Sequence, residues 1–74
     1  MTRKEKMFIV MRKAIDLHFD ITVYISISGN SKYESVFSHN CDIASKIEYY
    51  DEIYDDDLQH KTADVRIVGW KPAP

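Results

Sequence analysis

The chain has 74 residues, of which 12 are acidic and 10 are lysine or arginine, and its net charge is only −2. This length suits one domain with a small core and marginal stability, which dimerisation would help. A single cysteine excludes an internal disulfide framework and suits a reducing cytoplasm. Since no apolar run approaches the roughly 18 residues of a membrane span, we expect one small cytoplasmic domain covering residues 1–74.

Residues 2–19 are predicted to form the first helix. Thr2 followed by Glu5 is the signature of a capping box, in which each side chain accepts a hydrogen bond from the other residue's backbone N–H. Side chains at helical spacing then form one face: Met7, Val10, Met11, Ala14, Leu17 and His18. The stretch from Met7 to Met11 would also suit a short buried strand, but the length of the pattern favours a helix.

Residues 21–28 alternate between apolar and polar side chains, which predicts a strand with one buried face. The apolar members of this alternation are Ile21, Val23, Ile25 and Ile27. Gly29-Asn30 marks a turn, and residues 32–38 would form the returning strand of a hairpin.

The register of this hairpin depends on the number of residues in its turn. A two-residue loop would place Ile25 opposite Glu34, so that the apolar face of the first strand would have a charged residue beside it. A three-residue loop would instead place Ile25 opposite Tyr33, and Ile21 opposite Phe37. Because this arrangement keeps apolar side chains together, we predict the three-residue loop.

Residues 40–58 are predicted to form a second, strongly acidic helix. Asn40 is a natural N-cap, and apolar side chains at helical spacing form one stripe: Ile43, Ile47, Tyr50, Tyr54 and Leu58. Between Cys41 and Leu58 there are seven acidic residues and one basic residue, Lys46. The helix therefore combines a core-facing stripe with an acidic flank.

Three of these acids, Asp55 to Asp57, fall in the predicted last turn of this helix. The helix macrodipole is negative there, so each acid costs about 0.3–1 kcal/mol at low salt. Two explanations stay open. Either the helix frays before Asp56 and the acids are solvated turn residues, or the acids form a binding surface that is retained at some cost in stability.

Residues 63–70 are predicted to form the last strand, with Val65 and Ile67 facing inward. Arg66, Val68 and Trp70 would then lie on the opposite face. Two prolines follow in residues 71–74, which we expect to be a frayed tail because proline does not donate to a strand ladder.

The element order is therefore α-β-β-α-β, an α+β fold. A right-handed crossover gives a three-stranded antiparallel sheet of strand order 2-1-3, with both helices on one face. The other face would stay open, and an open apolar patch usually marks an interface. We predict self-association or partner binding there through four residues: Tyr24, Val36, Val68 and Trp70.

The sequence carries no motif typical of an enzyme, a metal site or a cofactor site. His39 and Cys41 are the nearest approach to a metal cluster, but they lack the four ligands and the spacing of a structural zinc site. Two glycines do not make a phosphate-binding loop. We therefore expect a protein that is not an enzyme and holds no metal or cofactor.

Binding to another protein is the better-supported expectation. Exposed aromatic side chains in an acidic field are typical of protein-binding surfaces, because tyrosine provides contact area and acids steer toward basic partners. The predicted partner-binding residues are Glu48, Tyr49, Asp51, Glu52, Ile53, Asp55, Asp56 and Asp57. The basic stretch from Arg3 to Lys13 would bind nucleic acid only weakly, so we expect no direct nucleic-acid binding. The lack of a long apolar run predicts no membrane partner.

In its length, acidity, single-domain character and lack of enzyme motifs, the chain resembles the small early proteins of bacteriophages and prophages. Among these it is similar to anti-CRISPR and other anti-defence inhibitors, several of which present acidic surfaces to nucleic-acid-binding sites. The resemblance implies an inhibitor in the host cytoplasm that mimics DNA and blocks a basic site of a host protein. The alternative is a small dimeric structural or regulatory module that uses its open sheet face and touches nucleic acid through its N-terminal basic helix.

Overall fold

The computed structural model describes residues 1–28 and 33–74 of the chain. Its elements are α1 (Arg3–Asp16), β1 (Asp20–Ile27), β2 (Tyr33–Ser38), a 3₁₀ turn (Asn40–Asp42), α2 (Ile43–Ile53) and β3 (Val65–Ala73). The strands form one antiparallel sheet of order β2-β1-β3, and both helices lie on one face of it. The predicted fold is therefore confirmed. The predicted turn at Gly29-Asn30 lies outside the described residues.

The first helix begins and ends with recognisable caps. The predicted capping box is confirmed, because Thr2 and Glu5 exchange side-chain and backbone hydrogen bonds. The helix ends at Asp16, earlier than predicted, because His18 adopts a left-handed conformation with φ 58°. The N–H groups of His18 and Phe19 then donate to the carbonyls of Ile15 and Ala14, which is a Schellman cap.

The core lies between the helices and one face of the sheet. Burial of apolar surface here is the main stabilising term of the fold. The buried apolar residues of the core come from α1, α2, β1, β3 and the turn after α2: Met7, Phe8, Met11, Ala14, Ile21, Val23, Ile43, Tyr50, Tyr54, Leu58 and Ile67. Within the described residues, neither helix has the length and apolar character needed to cross a membrane.

The hairpin register differs from the prediction. Ile25 lies opposite Glu34 and Ile21 opposite Ser38, so Tyr33 and Phe37 point to the open face of the sheet. The prediction assumed that pairing apolar side chains across the hairpin sets the register. α1 packs against β1 and β3, whereas β2 is an edge strand that contributes no residue to the apolar core. Apolar pairing at β2 therefore carries little information about register.

A β-bulge in β3 overturns a second prediction. Tyr24 pairs with Gly69 but Ile25 pairs with Ile67, so Val68 is an extra residue in β3. A bulge reverses the alternation of side chains beyond it. Trp70 consequently lies opposite Val23, on the helix-covered face, and packs partly buried against the core.

The last strand also runs further than predicted. Residues 71–73, expected to fray, continue β3, and Pro72 pairs with Ile21. Proline is tolerated here because β3 is an edge strand, where an absent N–H need not break the ladder.

Asn40 does not act as the predicted N-cap of α2. Its backbone begins the 3₁₀ turn, and the N-cap position of α2 is Asp42, whose side chain makes no capping bond. The Asn40 amide nitrogen instead donates to the carbonyls of Ala14, at 3.0 Å, and Phe19, at 2.8 Å. Asn40 thus completes the C-terminal cap of α1, a contact between distant parts of the chain that a local pattern does not reveal.

Candidate functional site

The acidic helix is shorter than predicted. α2 ends at Ile53, and Tyr54 already has extended backbone angles. Tyr54 pairs with His60 in an isolated antiparallel bridge, and the Asp55 N–H donates to the Gln59 carbonyl. The acids at positions 55–57 therefore lie in a tight turn beyond the helix, and the predicted cost of placing them at a helix C-terminus does not arise.

The Asp55 carboxylate is part of this turn. One of its oxygens, Oδ1, accepts hydrogen bonds from the backbone N–H groups of Asp57, at 2.9 Å, and Gln59, at 3.0 Å. Leu58 follows with φ 62° and places its fully buried side chain in the core. An aspartate that bonds to the backbone two residues ahead favours a turn over continued helix. This explains why the helical pattern of the sequence runs past the end of the helix.

Lys4 joins the N-terminus of α1 to the C-terminus of α2. Its side chain is buried, and its ammonium nitrogen lies 2.8 Å from the carbonyl oxygens of both Asp51 and Tyr54. The same nitrogen lies 2.9 Å from the Asp51 carboxylate. The hydrogen bond and the charge of Lys4 hold the pKa of Asp51 below its usual range. The ammonium therefore satisfies helix-end carbonyls and opposes the negative end of the dipole.

Arg3 joins the same end of α1 to β3. Its guanidinium donates to the Ile67 carbonyl at 3.2 Å and lies 5.7 Å from the centre of the Trp70 ring. Two of the five cations in the basic stretch, Arg3 and Lys4, thus have structural roles. The basic surface of α1, which the alternative function would use for nucleic acid, is reduced to Lys6, Arg12 and Lys13, all exposed.

The tyrosines of α2 have different environments. Tyr50 and Tyr54 are buried in the core, and burial, with smaller contributions from neighbouring tyrosines, raises the pKa of Tyr50 to about 12. Tyr49 is 49% exposed, and the Lys46 ammonium lies 5.8 Å from its ring centre. Ile53, predicted to accompany Tyr49 on the surface, is half-buried against the core. Tyr49 is thus the main aromatic contact that α2 offers to solvent.

The predicted partner-binding residues therefore separate into two groups. Asp51 and Asp55 support the fold, through Lys4 and through the turn. Four exposed acids remain, which we call the outer carboxylates: Glu48, Glu52, Asp56 and Asp57. Among the described residues, the Lys4–Asp51 contact is the only ion pair within 4.0 Å, so the outer carboxylates carry charge without an internal cation.

The predicted self-association face is not assembled as expected. Of its four residues, Val36 and Trp70 both lie opposite Val23 on the helix-covered face, and Val68 is the bulge residue. Only Tyr24 occupies a regular position on the open face. The strand register brings four other side chains to that face, which sequence reasoning missed as a group: Tyr33, Phe37, Arg66 and Lys71. Their alternation with core-facing residues was the available signal, but the bulge and the hairpin register obscured it.

The histidines and the cysteine do not converge. His60 Nδ1 accepts hydrogen bonds from the backbone N–H groups of Thr62 and Ala63, at 3.1 and 2.9 Å, and His39 packs edge-on against Phe37. Cys41 is exposed. Within residues 1–28 and 33–74, no three histidine, cysteine or acidic side chains are grouped so that they could hold a metal ion.

The geometry thus presents two candidate binding surfaces, the outer carboxylates with Tyr49 on α2 and the turn after it, and the open face of the sheet. Comparisons with protein-family models, curated proteins and solved structures returned no match for this chain.

Proposed function

We propose that the protein is a non-enzymatic binding protein whose outer carboxylates and Tyr49 occupy a basic, nucleic-acid-binding site of a partner protein. Carboxylates would pair with the lysine and arginine side chains that normally contact phosphate, and the tyrosine would supply a rigid apolar contact.

The observation that supports this proposal most is the division of labour among the acids. Asp51 and Asp55 already stabilise the fold. The outer carboxylates are exposed, and the structure gives no folding reason for them. Like charges gathered without internal cations destabilise a compact chain by repulsion, and they attract a basic partner at long range. Because the outer carboxylates destabilise the chain and support no contact of the fold, binding to a partner would explain why they are present.

The resemblance to phage anti-defence inhibitors narrows the partner within this proposal. It implies a host protein that binds nucleic acid as part of a defence system, and an inhibitor that competes with that nucleic acid. A competitor of this kind needs no catalytic group, only charge and shape that match the site.

The experiment is capture from a bacterial lysate with three immobilised proteins: the wild type, a Glu48→Lys/Glu52→Lys variant, and an Asp16→Lys/Glu34→Lys control. The control reverses the same number of exposed charges outside the acidic surface. We expect the wild type and the control to retain a nucleic-acid-binding protein that the first variant loses. An added oligonucleotide should release it, because the two ligands share one site.

Salt provides a second readout with the purified partner. Association should slow as ionic strength rises from about 0.1 M toward 1 M, where the Debye length falls from about 10 Å to about 3 Å. The proposal is wrong if the charge-reversed variant retains the partner as the wild type does, or if nucleic acid fails to compete.

A further inference from the structure

We propose that the open face of the sheet binds single-stranded nucleic acid, with the aromatic rings of β1 and β2 stacking on bases and the cations of β3 contacting phosphates. This proposal is independent of the one above, because it concerns different residues, those on the open face of the sheet. It also revises the expectation that the protein does not bind nucleic acid directly, which considered only the cations of α1.

The aromatic side chains of this face are arranged as successive stacking positions. Tyr24 lies opposite Ser35, so Tyr33 and Phe37 are its two diagonal neighbours on β2. Diagonal neighbours in an antiparallel pair are about 7–8 Å apart, within reach of aromatic rings. Tyr33 is 68% exposed and Phe37 is 53% exposed. Large aromatic side chains this exposed on one sheet face offer ring surface to a flat ligand.

The side of Tyr24 toward β3 is left open by a glycine. Gly69 is the β3 partner of Tyr24, and a Cβ built at Gly69 would lie 3.8 Å from the Tyr24 ring. A larger side chain at Gly69 would stand beside the ring and cover part of it. The glycine therefore keeps a path open between the aromatic rings and the cations of β3.

Two cations lie on the β3 side of this face. Arg66 is opposite Ser26 and Lys71 is opposite Thr22, so they are separated by four residues of β1, or about 14 Å. Glu34, the acid of β2, belongs to the other face because it lies opposite Ile25. Asp20, the first residue of β1, alternates with Thr22 and so lies at the end of this same face, where its carboxylate accepts a hydrogen bond from the Asn40 N–H. Asp64 directly precedes β3. Between these acids at its ends, the charged side chains that the register places on the described part of the face are the cations Arg66 and Lys71.

This combination suits an unpaired polyanion better than the other occupants of a sheet face. Rings on a sheet stack on splayed, single-stranded bases, whereas the bases of a duplex are already stacked on one another. A two-fold dimer through the same face would bring the Arg66 and Lys71 side chains of both copies into one interface, where like charges repel. Charge complementarity thus favours nucleic acid over a second copy.

The test is fluorescence anisotropy of a labelled thymidine oligonucleotide of about twelve nucleotides, a length within the usual site range of sheet-based binders. We expect binding at low salt, and weaker binding of a duplex of the same length. Tyr33→Ala and Phe37→Ala should each reduce affinity about tenfold. An Ile9→Ala variant is the matched control, because it removes an exposed apolar side chain from α1, outside both proposed surfaces, and should leave binding unchanged.

The cations are tested by the salt dependence of affinity. An Arg66→Gln/Lys71→Gln variant should flatten the logarithmic salt slope by about 1.4, the value for two phosphate contacts on a single strand. A Lys6→Gln/Lys13→Gln variant, which removes two exposed cations of α1, should keep the wild-type slope. Circular dichroism of each variant shows whether it is folded, so that a loss of binding reports on the surface.

Three outcomes would overturn the proposal. The first is no binding of the oligonucleotide by the folded wild type at low salt. The second is that duplex and single strand bind equally well and that neither Tyr33→Ala nor Phe37→Ala changes the affinity. Such binding would result from charge attraction alone. The third is a wild-type dimer in sedimentation that Tyr33→Ala dissociates while no oligonucleotide binds, which would make the face an interface between two copies.

Discussion

The helix side and the open sheet face of this protein differ in how far the fold itself uses their surface side chains. On the helix side, Lys4 and Asp51 form an ion pair, and the Asp55 carboxylate closes a turn. On the sheet face, Tyr33 and Phe37 stand more than half exposed on an edge strand. Charge density alone is therefore a poor guide to binding residues, because some of the most conspicuous charges hold the chain together.

The comparison requires that one face of the sheet is covered and the other open. Substitutions at two neighbouring residues of β1 test this requirement, and their expected effect is the largest. Val23 is fully buried, whereas Thr22 lies on the open face opposite Lys71. Val23→Asp should cost at least about 4 kcal/mol, enough to unfold a small domain, because a charge is buried without a partner. Thr22→Asp should leave a cooperative urea transition. A soluble Val23→Asp variant with such a transition would contradict the assigned face.

The structural role of the helix-side charges is tested next, through Lys4. Lys4→Met keeps the aliphatic stem but removes the ammonium from the carbonyls of Asp51 and Tyr54. We expect a loss of about 2–3 kcal/mol in the free energy of unfolding, because buried carbonyls lose charged hydrogen bonds. Lys6→Met, at an exposed position of the same helix, should change it by less than about 0.5 kcal/mol. Equal effects of the two substitutions in urea titrations would show that Lys4 has no special role.

The bulge in β3 decides which face Trp70 occupies. Because Trp70 packs against the core beneath the Arg3 guanidinium, Trp70→Ala should lower the free energy of unfolding by about 2 kcal/mol. It should leave the oligomeric state in sedimentation unchanged. Lys71→Ala, one residue further along β3 and on the open face, is the control and should be nearly neutral. If the Trp70→Ala variant has wild-type stability, the tryptophan does not pack against the core, and its assignment to the helix-covered face is wrong.

Local patterns in the sequence predicted the elements, their order and the strand order of the sheet. The capping box of Thr2 and Glu5 and the burial of Ile43 and Tyr50 follow from spacing alone. Leu58 is buried as predicted, but the turn after α2 places it there and not helical spacing. What the sequence did not predict depends on contacts between distant residues. The bulge at Val68 reverses the side-chain alternation. Gly69 beside it is a local signal, because an isolated glycine in a strand often marks a bulge, but it does not show which face the following residues take.

The sequence predicted which residues make up the candidate acidic surface, but not which of them support the fold. The acids were visible, but their division into structural and outer groups depends on Lys4, which lies 47 residues from Asp51. The helix end at Ile53 depends on turn bonds of Asp55 that compete with helix formation. The aromatic and cationic side chains of the open face meet only through strand pairing, so their grouping requires the register.

The smallest expected effect is on the pH dependence of the free energy of unfolding, to which the Lys4–Asp51 pair contributes. The pKa of Asp51 is lowered in the folded protein, first by the hydrogen bond from Lys4 and then by its charge. A carboxyl whose pKa is depressed by folding contributes stability above its unfolded pKa, near 4, and loses that contribution as pH falls through the lower folded value. Asp51→Asn should therefore flatten the acid limb of stability against pH, measured by urea titration between about pH 5 and pH 2. The change should be smaller than that of Lys4→Met, because Asp51 is exposed and solvent screens the pair. If Asp51→Asn leaves the acid limb as steep as in the wild type, Lys4 acts through the carbonyls alone, and Asp51 joins the outer carboxylates as a surface charge.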